Sequence, residues 1–349
     1  MSASYSIAGR AIGSSHAPYV IAELSGNHSG DIDRAIRLID VAKQVGADAV
    51  KLQTYTADTI TIDHDGPDFL IKSGPWQGRR LYELYREAYT PWEWHPVLFE
   101  HARRAGITCF SSPFDQSAID LLERLGAPAY KIASFEVIDT PLVRLAARTG
   151  KPMIISTGMA TKEEVGEAVA ASRAAGNAQV ALLHCVSGYP TPPKDSNLRR
   201  IDALAQTFNC PIGLSDHSLG IEVAIASVAL GACIIEKHLT LARADGGPDA
   251  EFSLEPQELA ALVTGVKTAF VALGVAEYAR ADSERGNVSF RRSLYVVQNV
   301  AAGEKLTGDN VRSIRPGFGL APKYLPDVLG RRAKRDIARG TPLSLEHID

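Results

Sequence analysis

Residues 211–240, PIGLSDHSLG IEVAIASVAL GACIIEKHLT, contain one complete strand–helix–strand unit. Ile212–Ser215 is an apolar run of strand length, Gly220–Leu230 has the length and periodicity of a helix, and Cys233–Lys237 is a second apolar run. The helical segment ends at Gly231, where a left-handed residue stops a helix at little cost. Both runs are continuously apolar rather than alternating, which is typical of parallel strands buried on both faces. The stretch therefore predicts a parallel βαβ unit.

The same alternation of strand-length runs and helical segments extends over about the first 275 residues. Six more apolar runs of strand length precede this unit: Tyr19–Leu24, Ala49–Gln53, Ile107–Ser111, Ala129–Ala133, Pro152–Ser156 and Val180–Cys185. Helical segments alternate with the runs: Asp31–Val45, Pro91–Arg104, Gln116–Leu125, Pro141–Arg148, Lys162–Ala174, Leu198–Phe208, Gly220–Leu230 and Pro256–Leu273. Eight such units predict an α/β fold, a closed (β/α)8 TIM barrel. The alternative is an open doubly wound sheet, but that fold normally carries a glycine-rich phosphate turn after its first strand. Here the first strand leads into Glu-Leu-Ser-Gly-Asn-His instead.

The composition and the periodicity of the sequence change after the last predicted barrel helix. Residues 276–290 are polar and are interpreted as a linker between a barrel domain, 1–275, and a small domain, 291–349. Three short β-like pieces, SLYVVQNV, NVRSIRP and AKRDIARG, alternate there with glycine and proline turns. The basic cluster RRAKR (331–335) is interpreted as a solvated face.

Composition excludes several classes of protein. The 349 residues carry 37 Lys and Arg against 40 Asp and Glu, so the basic excess expected of a nucleic-acid binder is missing. The longest nearly apolar run, Ala224–Ile235, has 12 residues and is too short to span a bilayer. The N-terminus shows no secretory signal pattern, and the four cysteines show no CxxC spacing. We therefore expect a cytoplasmic protein with free thiols that binds neither nucleic acid nor membrane.

Polar side chains are concentrated at the carboxyl ends of the predicted strands, where barrel enzymes place their chemistry. One group has two ammonium groups and several hydroxyls, which suits an anion such as a phosphate or a carboxylate: Lys51, Lys131, Ser112, Ser134, Ser156 and Ser215. Buried polar groups are costly unless they have partners, so packing alone does not explain this density. The pattern predicts an anion-binding site at the top of the barrel.

Two further groups lie at the same ends. His217 and His238 end adjacent strands and could converge on one divalent ion, such as Mn²⁺, Fe²⁺ or Zn²⁺, acting as a Lewis acid. Glu23 and Glu136 are candidates for a general base or for substrate hydrogen bonds. Two alternatives stay open: a Schiff-base lyase or aldolase that uses Lys131 as its nucleophile, and a sugar-binding protein without catalytic activity.

The order of motifs resembles that of the sialic-acid synthase family. The motifs are AELSGNHSGD, DAVKLQTYT, SSPFD, AYKIASFE, ISTGMAT, LLHCVSGYP, GLSDHSLG, IIEKHLT and GGPDAEFSLEP, and the resemblance runs from about residue 5 to 349. The end segment is similar to the family's SAF domain, which is related to antifreeze proteins. Within the family, residues 71–95 are most similar to pseudaminic acid synthases, with N-acetylneuraminate and legionaminate synthases as alternatives.

The resemblance implies an activity and a set of roles. The enzyme would condense phosphoenolpyruvate with 2,4-diacetamido-2,4,6-trideoxy-L-altrose and water to give pseudaminic acid and phosphate. Matched motif by motif, the phosphoenolpyruvate contacts fall on Lys51, Ser112, Lys131, Ser134, Ser156, Ser187 and Ser215. The catalytic carboxylate falls on Glu23, the metal ligands on His217 and His238, and the sugar contacts on Glu136, Tyr189, Asp249 and Arg315. The family often has Asn at the Ser187 position, and the shorter serine reaches less far.

The resemblance also implies a cofactor and an assembly. The cofactor would be a divalent metal, Mn²⁺ or else Mg²⁺ or Co²⁺. The assembly would be a domain-swapped homodimer, in which the C-terminal domain of one chain caps the barrel of its partner. Arg315 would then serve the neighbouring active site.

Overall fold

The computed structural model describes residues 5–349, which divide after Gly274 into two compact units. The first unit contains a closed barrel of eight parallel strands, preceded by a two-stranded antiparallel hairpin. The hairpin strands are β1 (Tyr5–Ile7) and β2 (Arg10–Ile12). The barrel strands are β3 (Tyr19–Glu23), β4 (Ala49–Thr54), β5 (Thr108–Pro113), β6 (Tyr130–Ile132), β7 (Met153–Ser156), β8 (Val180–Cys185), β9 (Ile212–Asp216) and β10 (Ile234–His238). Because β10 pairs with β3, the sheet closes, and the predicted TIM barrel is confirmed.

Helices follow the barrel strands, eight of them where the sequence predicts a helix and two, both in the connection between β4 and β5, where it predicts none. They are α1 (Ile32–Gln44), α2 (Ala57–Ile60), α3 (Leu81–Ala88), α4 (His95–Ala105), α5 (Gln116–Leu125), α6 (Thr140–Ala147), α7 (Lys162–Ala174), α8 (Arg200–Phe208), α9 (Glu222–Ala229) and α10 (Pro256–Leu273). Side-chain caps begin several of them; Asp115, for example, accepts hydrogen bonds from the backbone at Ser117 and Ala118. The predicted helix over Pro91–Arg104 is wrong at its start, because Trp92–Trp94 forms a 3₁₀ turn and α4 begins only at His95.

Alternation along each strand separates two apolar layers. In β3, Tyr19 and Ile21 point into the barrel, while Val20 and Ala22 pack outward against the helices. The hairpin closes the amino-terminal end of the barrel, because its buried Tyr5, Ile7 and Ile12 belong to the same inner cluster as Tyr19 and Ile21. The barrel interior is therefore apolar at that end, which leaves the opposite end, at the carboxyl termini of the strands, for chemistry.

The second unit has its own apolar cluster, which includes Leu294, Val311 and Leu343. It contains the antiparallel pair β11 (Ser293–Val296) and β12 (Val311–Ile314), and the short helix α11 (Leu325–Val328). The predicted β-piece AKRDIARG forms no regular strand; isolated bridges at Ala333 and Ile337 take its place. Residues Asp282–Phe290, predicted as linker, form a 3₁₀ helix. Across residues 5–349, no helix has both the length and the apolar character needed to cross a membrane.

Candidate active site

The inward-facing positions change from apolar to polar near the carboxyl ends of the barrel strands. The inner cluster includes Ile21, Phe110 and Ile154, and the next inward residue along each of these strands is polar: Glu23, Ser112 and Ser156. The other inward polar residues at this level are Lys51, Gln53, Lys131, Ser215, His217, Glu236 and His238. The strand period of two therefore brings most of the predicted site residues to one end of the barrel.

Two lysines and two glutamates form a buried cluster there. The Oε1 atom of Glu236 lies 3.0 Å from the ammonium groups of both Lys51 and Lys131, and it accepts a further hydrogen bond of 3.0 Å from Ser215. Lys51 lies equally close, at 3.0 Å, to Oε2 of Glu23. All four charged side chains are at most 4% exposed, and their formal charges cancel. Such a cluster persists out of water only because each charge has partners.

The environment moves the pKa values of these groups in opposite directions. Burial would raise the pKa of Glu236, but the ammonium groups of Lys131 and Lys51 hold it well below its usual range. Burial would lower the pKa of Lys51, but Glu23 and Glu236 together raise it. Lys131 has only one carboxylate partner, so burial and the charge of Lys51 lower its pKa. Burial raises the pKa of Glu23.

Two inward-facing hydroxyls at this end of the barrel lack a hydrogen-bond partner in the part of the chain that the structure describes. The Oγ atoms of Ser112 and Ser156 are both buried and unpaired within the described residues. Ser134 Oγ contacts Ser187 Oγ at 3.0 Å. Gly158 permits this approach, because a Cβ at that position would lie 2.5 Å from Ser134 Cβ and its φ is +48°. An unpaired buried donor is costly, so these hydroxyls are suited to a ligand that supplies acceptor oxygens.

The two imidazoles lie side by side, with ring centroids 5.4 Å apart. His217 Nδ1 donates to the Val186 carbonyl at 3.0 Å, which leaves Nε2 as a free lone pair. His238 makes no side-chain hydrogen bond to the described residues, and its Nδ1 is buried. Burial lowers the pKa of His217 to about 4 and also lowers that of His238, so both rings are neutral.

Neutral imidazoles with uncommitted nitrogens fit a divalent cation. Among residues 5–349, no group of three or more His, Cys, Asp or Glu side chains is arranged to hold a metal. A cation at His217 and His238 would therefore have two protein ligands, and water or substrate would complete its coordination.

The predicted sugar contacts divide between the two units. In the barrel unit, burial raises the pKa of Glu136 to about 7, and its Oε2 is unpaired within the described residues. Asp249 accepts a hydrogen bond from the Ser25 hydroxyl, and burial raises its pKa. The Tyr189 ring lies 4.5 Å from that of His217. Arg315 belongs to the C-terminal unit, directly after β12, so the barrel strands do not position it.

The sequence reasoning assigned no role to three residues at this end of the barrel. Glu236 is the acceptor shared by both lysines, and its spacing of two from His238 could have placed it on the same face. Phe252 packs against both imidazoles, with centroid distances of 6.0 Å to His217 and 5.0 Å to His238. Trp76 lies 5.5 Å from the Tyr189 ring. Phe252 and Trp76 come from long loops, for which periodicity gives no signal.

Known proteins are similar to this chain over most of its length. Pseudaminic acid synthase of Campylobacter jejuni subsp. jejuni serotype O:23/36 (strain 81-176) is 45% identical over 325 residues, which cover 93% of this chain and 95% of the relative. Pseudaminic acid synthase of Helicobacter pylori (strain ATCC 700392 / 26695) is 41% identical, with 95% and 98% covered. The crystal structure of N-acetylneuraminic acid synthetase from Leptospira borgpetersenii serovar Hardjo-bovis superposes with a TM-score of 0.74 at 34% identity, covering 82% of this chain and 96% of that one.

Family profiles divide the chain in the same way as its fold. The SAF domain matches residues 291–349, and the NeuB family matches residues 38–278, which include most of the inward-facing strand ends described above. The resemblance to sialic-acid synthases seen in the motifs is thereby confirmed. The chain therefore belongs to the NeuB family of nonulosonic acid synthases, and its C-terminal unit is a SAF domain.

Proposed function

We propose that this enzyme condenses phosphoenolpyruvate with 2,4-diacetamido-2,4,6-trideoxy-L-altrose and water, giving pseudaminic acid and phosphate. One observation carries the proposal: two buried ammonium groups and unpaired buried hydroxyls share the end of the barrel with two imidazoles that each keep an uncommitted ring nitrogen. The choice of sugar is supported by the curated pseudaminic acid synthases, which are 41–45% identical over more than nine-tenths of the chain.

Phosphoenolpyruvate would bind at the lysine–glutamate cluster. An ammonium group has three N–H donors. Lys51 and Lys131 each donate one hydrogen bond to Glu236, and Lys51 also forms an ion pair with Glu23, which leaves donors on both ammonium groups for an anion. Ser112, Ser134, Ser156 and Ser187 would supply hydroxyl donors to the phosphate and carboxylate oxygens, and Ser215 would do so on releasing its hydrogen bond to Glu236. The glutamates fix where the ammonium groups point, so the site is organised before the ligand arrives.

Synthases of this family are generally metal-dependent. His217 and His238 are the residues that would hold a divalent cation, Mn²⁺ or else Mg²⁺ or Co²⁺. Bound there, the cation would supply a Lewis acid for the aldehyde of the open-chain sugar.

In the proposed reaction, C3 of the enol attacks the C1 aldehyde and forms the new C–C bond, while positive charge develops at C2. Water adds at C2 and passes one proton to Glu23, and one proton is taken up by the former aldehyde oxygen, which becomes a hydroxyl. The hemiketal phosphate formed at C2 then loses its hydroxyl proton to the departing phosphate as the C–O bond breaks, which leaves a ketone. Lys51 holds the Glu23 carboxylate at 3.0 Å, and Gln53 donates to its other oxygen at 3.0 Å. Those two contacts fix the position of the base.

A Schiff-base lyase remains the second candidate, because burial lowers the pKa of Lys131, as a nucleophilic lysine requires. Borohydride added with pyruvate would trap such an enzyme covalently on Lys131, and a chelator would not inhibit it.

The assay that tests the proposal measures phosphate release from phosphoenolpyruvate with a panel of amino sugars, with and without chelator. We expect release only with the 2,4-diacetamido-6-deoxy sugar, and loss of activity with EDTA that Mn²⁺ restores. Faster release with N-acetylmannosamine or with the legionaminate precursor would overturn the assignment of the sugar. Release that EDTA does not affect would overturn the role of the metal.

We propose that Trp76 selects a sugar that carries a methyl group. Its indole N–H donates to the Pro248 carbonyl at 2.8 Å, and its ring centroid lies 5.5 Å from that of Tyr189, which itself packs against His217. Aromatic faces bind methyl groups and C–H bonds better than hydroxyls. We expect Trp76→Ala to raise the KM for the sugar about tenfold, equivalent to about 1.4 kcal/mol, and to change the KM for phosphoenolpyruvate less than twofold.

Steady-state kinetics with each substrate varied in turn test this expectation. Trp92→Ala is the matched control, because its indole donates to the Tyr55 carbonyl at 3.2 Å rather than to the loop beside the site. A Trp76 variant with an unchanged KM for the sugar would exclude the indole from the sugar site.

We also propose that the enzyme is a homodimer in which Arg315 of one chain serves the barrel of the other. Exposed apolar side chains on the loops after β6, β7 and β9 support a covering partner: Phe135, Ile138, Met159 and Leu219 are each more than half exposed. We expect Arg315→Ala to lower kcat/KM about 30-fold, because an orienting charged contact to the substrate is worth about 2 kcal/mol.

Complementation between two impaired variants distinguishes an Arg315 that serves the partner's barrel from one that serves the barrel of its own chain. When Arg315→Ala and His217→Ala chains are mixed, unfolded and refolded together, a heterodimer with shared sites contains one intact site, and activity returns. If each chain supplied its own Arg315, every site would carry a defect and the mixture would not exceed the low activity of Arg315→Ala alone. Arg312→Ala, in β12, is the control and should retain activity.

A further inference from the structure

A second buried ion pair, between Asp216 and Lys237, lies on the outward faces of the two strands that lead into the imidazoles. Asp216 and Lys237 are neighbours in register on β9 and β10, and Lys237 Nζ lies 2.7 Å from Asp216 Oδ2. Asp216 is 4% exposed and Lys237 is 0% exposed. Both point away from the barrel interior, because the strands alternate and their neighbours His217 and His238 point inward.

Stability alone does not account for charges in this layer. Leu214 and Ile235 lie two residues before Asp216 and Lys237 and face outward on the same strands. Both belong to the apolar layer between the strands and the helices. A buried ion pair is seldom more stable than a well-packed apolar pair of similar volume. The pair at Asp216 and Lys237 therefore calls for a role that an apolar pair could not fill.

The hydrogen bonds of the pair supply that role. Asp216 Oδ1 accepts the Ser218 N–H at 2.9 Å, and Lys237 Nζ donates to the Ser218 carbonyl oxygen as well as to Asp216. The backbone directly after His217 is thus fixed through both the N–H and the carbonyl of Ser218. The same ammonium belongs to the residue that precedes His238, so one set of contacts joins the backbones that carry both imidazoles.

We propose that Asp216 and Lys237 are positioning residues that set the separation of the His217 and His238 rings for the cation. This inference rests on the proposed metal role of the two imidazoles. The pair acts through the backbone and touches neither substrate nor cation. Residues that orient metal ligands from behind typically change metal affinity 10–100-fold when they are replaced.

Mn²⁺ binding to the metal-free, full-length protein, measured by calorimetry without substrates, tests the proposal. The decisive variant is the double substitution Asp216→Leu with Lys237→Met, which removes both charges together and so leaves neither unpaired. We expect its unfolding temperature to stay near that of the wild type, and its Kd for Mn²⁺ to rise at least tenfold. Its Kd for phosphoenolpyruvate alone should change less than twofold, because the lysine–glutamate cluster is intact.

Two further variants keep the test decisive. Ile235→Val, in the same layer, is the matched control and should bind Mn²⁺ like the wild type. Asp216→Asn keeps the side-chain volume and an acceptor for the Ser218 N–H, so it serves if the double variant does not fold; a threefold or larger rise in Kd is expected. Wild-type affinity in the folded double variant, or in Asp216→Asn if the double variant does not fold, would overturn the positioning role. Failure of the wild type to bind Mn²⁺ would instead overturn the proposed metal function.

Discussion

Alanine at either His217 or His238 is expected to lower kcat/KM for the condensation by at least about 1,000-fold, because Lewis-acid polarisation of the aldehyde contributes several kcal/mol to the transition state. Each ring offers an uncommitted nitrogen, and the described residues contain no group of three or more candidate ligands. Loss of one imidazole would therefore leave the cation with a single protein ligand. Phosphoenolpyruvate should still bind, since its proposed contacts are lysines and serines. Phosphate release at saturating Mn²⁺ measures the loss, and calorimetry with phosphoenolpyruvate measures the binding that remains.

His184→Ala is the matched control for these variants. His184 is also buried at the end of a barrel strand, but it points outward and its Nε2 donates to the Ser196 carbonyl at 2.6 Å. Loss of that hydrogen bond should lower the unfolding temperature without lowering kcat. Turnover that stays rapid and sensitive to chelator in His217→Ala or His238→Ala would show that the cation is bound elsewhere.

The imidazole pair also shows how far sequence alone reaches. All eight strand runs lie in the barrel, since continuous apolar runs followed by helical periodicity are properties of each βα unit by itself. The hairpin β1–β2 was not predicted, because its strands have three residues each and gain their burial only from the closed barrel. Local patterns thus predicted the scaffold and missed an element that depends on the scaffold being complete.

The same limit applies to the site. Period-two alternation predicts that Ser215, His217, Glu236 and His238 share the interior, and the structure agrees. The sequence reasoning treated Lys51 and Lys131 as a purely cationic anion site. The structure pairs both with Glu236, although their strands β4 and β6 are not neighbours of β10. That pairing crosses the barrel interior, so neither spacing nor strand order could indicate it.

Glutamine at Glu236 is expected to lower kcat about 100-fold and to change the Kd for phosphoenolpyruvate less than threefold. The carboxylate fixes three donors at 3.0 Å, from Lys51, Lys131 and Ser215, and a neutral amide oxygen holds two ammonium groups much more weakly. Loss of the negative charge makes the site more positive, which favours an anionic substrate and offsets its poorer positioning. Binding and turnover should therefore separate in this variant.

Stability should change together with turnover in Glu236→Gln. Removing one member of a buried charge cluster leaves an uncompensated ammonium at Lys131, which costs about 3 kcal/mol of unfolding free energy. Urea unfolding measures that loss, and steady-state kinetics measure kcat. Glu100→Gln is the control, because the side chains of Glu100 and its partner Arg103 are both more than half exposed, and an ion pair of that kind contributes little. If Glu236→Gln kept the kcat and stability of the wild type, the lysines would be held by other contacts, and the shared carboxylate would have no part in organising the site.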